Sequence, residues 1–197
     1  MLKIIQKYLP IKSKRRPWLS ILGVKFIVAH DTGNINSTAL QNVDYYIKSA
    51  NELEASAHAF VDDKQIIECI PQNEKAYHVR RIVDTDNQIY GFDAIDYALG
   101  VELCYFDDLE RSKLAYNNYV DYIKGLCAKY NLNPVNSIIG HYKLDPTRRT
   151  DPLNAFNKIC KTWEDFIIDL TIDLTIKDTL VDNEKTKQEI IRLVKLL

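Results

Sequence analysis

The sequence predicts an α/β domain built on a central mixed β-sheet with helices on its flanks. Two apolar runs of strand length, 24–30 and 97–105, lack an alternating polar face, which is typical of buried central strands. Apolar residues recur at helical spacing in 37–51, 112–130 and 153–170. Strands that alternate with helices in this way favour a layered α/β architecture over an all-helical or all-β one.

Three further segments complete this scheme. Residues 56–71 contain two β-rich runs separated by Asp62-Asp63-Lys64, which predicts a hairpin and hence an antiparallel pair in the sheet. A last strand is predicted over 136–141. Residues 79–96 are polar and irregular, and we expect them to form an exposed loop.

The predicted domain spans 1–170, and its first 22 residues are predicted to be an arm packed along the domain. Pro10 and Pro17 prevent this arm from being one helix. Four residues are expected to pin it: Ile4, Ile5, Tyr8 and Leu9. A short C-terminal extension, 171–197, ends in an amphipathic helix over 183–197. A helix that short is marginal alone, so its apolar stripe needs a partner.

Composition and charge argue against several functions. The 197 residues are 46% apolar and 27% charged with a formal net charge of -1, so no basic field favours nucleic acid or an anionic membrane. No apolar run reaches the length of a transmembrane helix. No signal-peptide h-region follows the charged start. We therefore expect a protein that is made in the cytoplasm without its own export signal and does not insert into a membrane.

The residues that carry chemistry lie where predicted strands end. His30 ends the first buried strand, His141 ends the last one, and Asp151 closes the loop 140–152. Functional groups of open α/β sheets collect just beyond strand ends. Imidazole and carboxylate are zinc ligands, and catalytic zinc takes three protein ligands and a water. Structural histidines, and an Asp151 that caps the following helix, remain alternatives at this stage.

Glu102 is the one charge within the apolar run 97–105. A buried carboxylate is costly unless it is paired or coordinated, and burial raises its pKa, which suits a group that shuttles protons. The alternative is an edge-strand glutamate that faces solvent. Arg148 and Arg149, just before Asp151, place cations near a substrate carbonyl or else form a solvated basic loop.

The other two histidines are less constrained by the sequence. His58 lies in a predicted strand of the hairpin and faces either the core or a cleft. His78 comes just before the irregular loop, where it is positioned to line a groove.

Four segments, taken in order and spacing, point to one known family. They are IVAHDTGN (27–34), SAHAFVDDKQIIECIPQNEKAYH (56–78), LGVELCY (99–105) and GHYKLDPTRRTDP (140–152). With them the chain resembles the zinc-dependent N-acetylmuramoyl-L-alanine amidases of the amidase-2 family, which are related to peptidoglycan recognition proteins. The resemblance runs over about 4–163, and the opening IIQKYLPIKSKRRP is similar to the start of Gram-positive phage and prophage lysins.

The resemblance implies a role for each matching position. The implied zinc ligands are His30, His141 and Asp151. Glu102 matches the catalytic glutamate, and Arg149 stands where the family usually has a lysine. His78 matches a histidine of the substrate groove, so we expect it to bind substrate.

Three positions depart from the family pattern. Many phage members have cysteine as the third ligand, whereas Asp151 is similar to the branch that recycles anhydromuropeptides. Arg149 keeps the charge of the usual lysine but presents a planar fork instead of a point charge. Ala57 replaces a catalytic tyrosine found in some members, which shifts more of the proton transfer onto Glu102.

The implied activity is zinc-dependent hydrolysis of the amide bond between N-acetylmuramic acid and L-alanine in bacterial peptidoglycan. We expect a phage or prophage endolysin that reaches the cell wall at lysis, through a holin or on release from the cell. Two alternatives are a cytoplasmic muropeptide-recycling amidase and a non-catalytic peptidoglycan-binding module. The extension 171–197 would then serve homo-oligomerisation or wall targeting.

Overall fold

The computed structural model describes residues 2–80 and 91–172, together with residue 192. In this part of the chain, one sheet contains β1 (Ile4–Gln6), β2 (Phe26–Asp31), β3 (Ala59–Val61), β4 (Ile66–Glu68), β5 (Ala98–Leu103) and β6 (Ile138–Gly140). The strand order is β1-β4-β3-β5-β2-β6. Only β3 and β4 pair antiparallel, and every other neighbouring pair is parallel. The predicted mixed sheet is confirmed.

Helices flank the sheet as predicted. They are α1 (Ala39–Lys48), α2 (Ala94–Tyr97), α3 (Leu109–Tyr130), α4 (Pro134–Ser137), α5 (His141–Leu144), α6 (Leu153–Lys158) and α7 (Trp163–Thr171). Thr38 caps α1 through a capping box with Gln41. Asp108 caps α3, which ends at Asn131 in the left-handed conformation.

The two long helices lie on opposite faces of the sheet. Phe60 of β3 packs edge-on against Tyr46 of α1, with ring centroids 5.2 Å apart. The preceding residue, Ala59, is in register with Glu68 of β4, whose carboxylate accepts a hydrogen bond from Tyr122 of α3 at 2.9 Å. Successive strand residues point to opposite faces, so α1 and α3 sandwich the sheet between them.

The predicted hairpin forms, and the side chain of Asp62 stabilises its turn in the absence of a glycine. Its Oδ1 accepts the backbone N–H groups of Lys64 and Gln65, each at 2.8 Å. Its Oδ2 accepts the backbone N–H of Ala39 at 2.8 Å. One buried carboxylate therefore closes the turn and ties it to the first turn of α1.

The single helix predicted over 153–170 is wrong, because the segment is two helices. Cys160 has a φ of 55°, a left-handed conformation that ends the first helix. Thr162 then starts α7 with a capping box to Asp165. The apolar spacing is nearly continuous across this break, so periodicity alone does not reveal it. The Thr162-to-Asp165 spacing is the signal that was available.

Two predicted loops also contain short helices. The segment expected to be an exposed loop over 79–96 ends in α2, which Asp93 caps and which buries Ala94 and Ile95. Residues 81–90 of that segment lie outside the described residues. The loop that was expected to leave β6 directly instead opens with the helical turn α5, whose first residue is His141.

The N-terminal arm joins the sheet, which the sequence did not indicate. Its first residues form the parallel edge strand β1 beside β4. Of the four residues expected to pin the arm, only Leu9 is buried. The other three were wrongly predicted, since Ile4, Ile5 and Tyr8 are 37%, 40% and 37% exposed. An edge strand covers its inner neighbour while its own side chains remain partly in solvent.

Two buried arginines hold the arm instead. Arg15 is 1% exposed, donates to the carbonyl oxygen of Ala55, and lies 4.2 Å from the ring centroid of Tyr46. Arg16 makes two hydrogen bonds to the Glu74 carboxylate, at 2.8 and 2.7 Å. A buried arginine is stable only when its donors are satisfied, and both guanidinium groups meet that condition here.

In the described part of the chain, no helix is long and apolar enough to cross a membrane. The predicted amphipathic helix over 183–197, apart from residue 192, lies outside the described residues, as do 173–182. Its proposed roles in self-association and wall targeting stay predictions.

Replacing Arg15 with methionine should lower the free energy of unfolding by about 2–4 kcal/mol, because the carbonyls of Ser49 and Ala55 lose their donor inside the protein. Urea unfolding followed by circular dichroism measures this loss. The control is Lys14→Met, an exposed neighbour whose replacement should change stability by no more than about 0.5 kcal/mol. Equal effects of the two substitutions would show that Arg15 does not anchor the arm.

Candidate metal centre

Three polar side chains meet where parallel strands end. His30 lies near the carboxyl end of β2, and His141 directly follows β6. The register pairs Ala29 with Gly140, so the two histidines are the next residues along adjacent strands. Asp151 returns to them at the end of the loop after α5. All three are buried, and their ligand atoms lie within 4.8 Å of one another.

One carboxylate oxygen is shared by the two imidazoles. Asp151 Oδ2 is 2.9 Å from His30 Nδ1 and 3.0 Å from His141 Nδ1. The centroids of the two imidazole rings are 4.6 Å apart. Each imidazole can donate an Nδ1–H to this oxygen, and a metal ion bound among the three atoms would replace those protons.

The protonation states suit a metal ion. Burial lowers the pKa of His30 to about 4, although its hydrogen bond to Asp151 opposes this. Burial by itself would raise the pKa of Asp151, but hydrogen bonds from His141 and His30 outweigh it and hold that pKa below its ordinary value. At neutral pH the His30 imidazole is therefore neutral and the carboxylate ionised, which are the forms that bind a metal.

The donor set fits an open zinc site. Two imidazoles and one carboxylate are a ligand combination of catalytic zinc, which keeps a further position for water or substrate. The capping alternative for Asp151 fails, because the residue before α6 is Pro152 and no side chain caps that helix. In residues 2–80 and 91–172, no other cluster of histidine, cysteine or acidic residues has this arrangement.

Glu102 stands next to the candidate metal centre on β5. It is in register with His30 of β2, so both side chains point to the same face of the sheet. Within the described residues, its Oε2 is enclosed without a hydrogen-bond partner. Burial raises its pKa well above the ordinary value, the charges of Asp151 and Asp31 raise it further, and Arg149 opposes them. The edge-strand alternative is ruled out, since β5 lies between β3 and β2.

These groups lie in an open cleft of about 690 Å³. The cleft is lined by the metal cluster and Glu102, together with Tyr46, Ala55 and Tyr77. Arg148 and Arg149 are exposed at its rim, where both backbone N–H groups donate to the carbonyl of Asp145. The positive charge of Arg149 lowers the pKa of both His30 and Glu102. Arg148 instead has its Nε 3.6 Å from the Asp145 carboxylate.

His78 lies deeper than a substrate-groove residue is expected to lie. It is 7% exposed, and protein atoms face both ring nitrogens. Nε2 is 3.3 Å from the carbonyl oxygen of Ala98, and Nδ1 is 3.2 Å from Nε2 of His30. Burial lowers its pKa well below the ordinary value, and the neighbouring histidines lower it further. The ring contributes to the cleft wall, but its polar atoms contact the protein.

His58 faces the core, which decides between the two alternatives that the sequence left. Its Nδ1 accepts the backbone N–H of Gly100 at 2.9 Å, and its Nε2 donates to the carbonyl oxygen of Glu74 at 3.0 Å. Both nitrogens are satisfied by the backbone. Burial lowers the pKa of this ring to about 4, so the imidazole is a neutral structural link between β5 and the segment before His78.

Two residues that support the site were missed by sequence reasoning. Asp31 accepts the backbone N–H of Ala155 at 3.2 Å and the side-chain amide of Asn154 at 3.2 Å, so it holds the start of α6, just after Asp151. Tyr119 of α3 accepts the backbone N–H of His30 at 3.2 Å. A carboxylate directly after His30 was a signal for the first. Nothing local signalled the second, because Tyr119 is far away in sequence.

The comparisons with known proteins agree with this geometry. The family model described as N-acetylmuramoyl-L-alanine amidase (Amidase_2) matches residues 21–154. The chain belongs to this family.

Among curated relatives, CwlL of Bacillus licheniformis is 29% identical over 191 residues, which cover 93% of this chain and 49% of CwlL. BlyA of Bacillus subtilis is 34% identical over 145 residues, which cover 70% of this chain and 39% of BlyA. Both are named N-acetylmuramoyl-L-alanine amidases.

A solved structure described as a mutant endolysin from Bacillus subtilis is also similar to this member of the amidase family. It has a TM-score of 0.68 and 25% identity, and the match covers 86% of this chain and 99% of that one. The chain spans about half or less of the length of the curated amidases that it matches, CwlL and BlyA. The match to the family model, residues 21–154, includes β2 to β6 and the His30, His141 and Asp151 cluster of this chain.

Replacing Asp31 with alanine should lower the free energy of unfolding by about 1–3 kcal/mol, because the first turn of α6 loses its buried acceptor. Thermal or urea unfolding measures it. Thr32→Ala is the matched control, since the Thr32 hydroxyl makes only 3.4 Å contacts in an exposed turn and its loss should cost about 0.5 kcal/mol or less. A stability loss confined to Thr32→Ala would contradict the assignment.

Proposed function

We propose that the chain is a zinc-dependent amidase that cleaves the bond between N-acetylmuramic acid and L-alanine in peptidoglycan. The observation that carries this proposal is the convergence of His30, His141 and Asp151 beside the unpartnered carboxylate of Glu102 in an open cleft. Membership of the amidase family and the names of CwlL and BlyA support the class of bond.

His30, His141 and Asp151 would hold the zinc ion. When bound, zinc supplies Lewis acidity, which acidifies a water molecule and polarises an amide carbonyl. The chain's contribution is to present neutral imidazole and ionised carboxylate at neutral pH, through the burial of His30 and the hydrogen bonds to Asp151.

Glu102 is the proposed general base and acid. Its enclosed Oε2 accepts the proton that the attacking water loses, and then delivers this proton to the amide nitrogen of the departing L-alanine. A carboxylate with a raised pKa suits both steps, since it holds the proton long enough to return it. Arg149, at the rim of the same cleft, stabilises the negative charge that develops on the carbonyl oxygen.

The biological role that we propose is that of a phage or prophage endolysin, made in the host cytoplasm and acting on the wall at lysis. The solved endolysin of Bacillus subtilis supports this, because the match covers 99% of that chain. The division into a catalytic domain, 1–170, and an extension, 171–197, belongs to the same proposal. Self-association through the extension stays part of it as well.

Glu102→Gln should lower kcat by about 10²–10⁴-fold, because glutamine keeps the shape but cannot take the proton. Zinc affinity and the free energy of unfolding should stay close to those of the parent protein. Release of L-alanine N-termini from purified wall measures kcat, and inductively coupled plasma spectrometry measures the bound zinc.

The control for this variant is Glu110→Gln, which removes an exposed carboxylate in the first turn of α3 and should leave kcat unchanged. Near-normal turnover by Glu102→Gln would refute its role in proton transfer.

Purified Gram-positive cell walls test the proposed function as a whole. We expect the full chain to clear the walls and expose new N-terminal alanine, a chelator to stop clearing, and added zinc to restore it. Asp151→Asn should weaken zinc binding and clearing together, because a neutral amide replaces the anionic ligand. Cleavage restricted to soluble muropeptides would replace the endolysin role with recycling. Binding without cleavage would refute the amidase proposal.

A further inference from the structure

His78 is held between a backbone carbonyl and the candidate metal ligand His30. Its Nε2 is 3.3 Å from the oxygen of Ala98, and its Nδ1 is 3.2 Å from Nε2 of His30. A carbonyl oxygen only accepts hydrogen bonds, so the His78 proton must be on Nε2. The hydrogen-bond network thereby assigns the tautomer of this ring.

The surroundings of His78 favour a neutral ring. It is buried, and its centroid lies 5.7 Å from that of His58, which is itself held neutral by two backbone groups. In the described ranges, no carboxylate is hydrogen-bonded to His78. A neutral ring with its proton on Nε2 has a lone pair on Nδ1, and that lone pair faces His30.

The tautomer of His30 follows from that of His78. When a metal ion occupies Nδ1 of His30, the ring proton is on Nε2, which donates it to this acceptor. Nδ1 of His30 faces Asp151 Oδ2 at 2.9 Å, and the metal ion would replace the proton that Nδ1 otherwise donates to this oxygen. Metal-binding histidines commonly donate their second N–H to a fixed acceptor, which orients the ring and raises its basicity.

Gly100 makes this arrangement possible. A Cβ atom built on Gly100 would lie 2.3 Å from Cγ and 2.7 Å from Nδ1 of His78, so any larger residue would displace the ring. The backbone N–H of the same glycine donates to His58. One position on β5 therefore leaves room for His78 and fixes the imidazole behind it.

We infer that His78 is a positioning residue that accepts the Nε2–H of His30 and so presents Nδ1 of His30 to the metal. This assignment differs from the substrate-binding role that the family resemblance implies for His78. It rests on the proposed metal centre.

The test uses three substitutions of His78 in the full chain. Asparagine places its carbonyl oxygen near the position of Nδ1, so His78→Asn keeps the acceptor for His30. Glutamine reaches the position of Nε2, so His78→Gln keeps the contact with Ala98 and loses the acceptor. His78→Phe keeps the ring shape without either. Zinc affinity is measured by competition with a chelating fluorophore, and the free energy of unfolding of the zinc-free chain is measured alongside.

We expect His78→Gln and His78→Phe to bind zinc about 10–100-fold more weakly than the parent chain, and His78→Asn to retain most of the affinity. A purely structural role would instead rank the variants by stability, with no advantage for asparagine. Parent-like zinc affinity in His78→Gln and His78→Phe would overturn the inference. So would an affinity loss in His78→Asn as large as in the other two.

Nitrogen-15 chemical shifts of the histidine rings in the zinc-loaded chain give a second readout that does not depend on activity. We expect protons on Nε2 of both His78 and His30. A proton on Nδ1 of His78, or an unprotonated Nε2 of His30, would overturn the inference. If the parent chain binds no zinc, the proposed metal function fails; if it binds zinc but shows other tautomers, only the inference fails.

Discussion

The parallel alignment of β2 with β5 and β6 is the constraint on which the candidate site depends. Its register pairs His30 with Glu102 on one side and Ala29 with Gly140 on the other, so His141 follows beside His30. Because neighbouring residues in register point to the same face, three functional groups separated by up to 111 positions meet without any loop having to carry them. A shift of one residue in either pairing would turn a ligand or the glutamate away.

A shell of buried hydrogen bonds then fixes these groups in place. Tyr119 of α3 contacts the backbone of His30, Asp31 holds the helix after Asp151, and His78 faces the second nitrogen of His30. Each buried polar group needs its partner, since an unsatisfied one costs free energy. Glu102 Oε2 is an exception in the described ranges, and this exception lies where the proposed chemistry requires a free proton acceptor.

The N-terminal arm contacts residues of the same cleft. Arg15 contacts both Tyr46 and Ala55, two residues that line it. Arg15 lies before residue 21, where the match to the family model begins. A buried charge outside the matched region thus supports residues that line the site.

Much of the fold could be predicted from the sequence, because the core strands have distinct apolar patterns. The run 24–30 and the run 97–105 predicted the two central strands, and the Asp62-Asp63-Lys64 turn predicted the hairpin. The break at Cys160 was missed, because the apolar spacing continues across it. Ile4, Ile5 and Tyr8 were expected to pin the arm to the domain, but they are exposed. Apolar residues near a terminus give the same sequence pattern whether they are buried or lie on an edge strand.

The sequence by itself determined which residues could form the site, through the types and spacing of His30, Glu102, His141 and Asp151. Only the tertiary structure decided how they are arranged. It put Glu102 on a central strand instead of an edge, directed Asp151 to the histidines instead of to α6, and placed His78 in the cleft wall with its Nδ1 facing His30. The physical reason is that these choices depend on strand order and on hydrogen bonds between distant residues, and local sequence patterns carry no information about either.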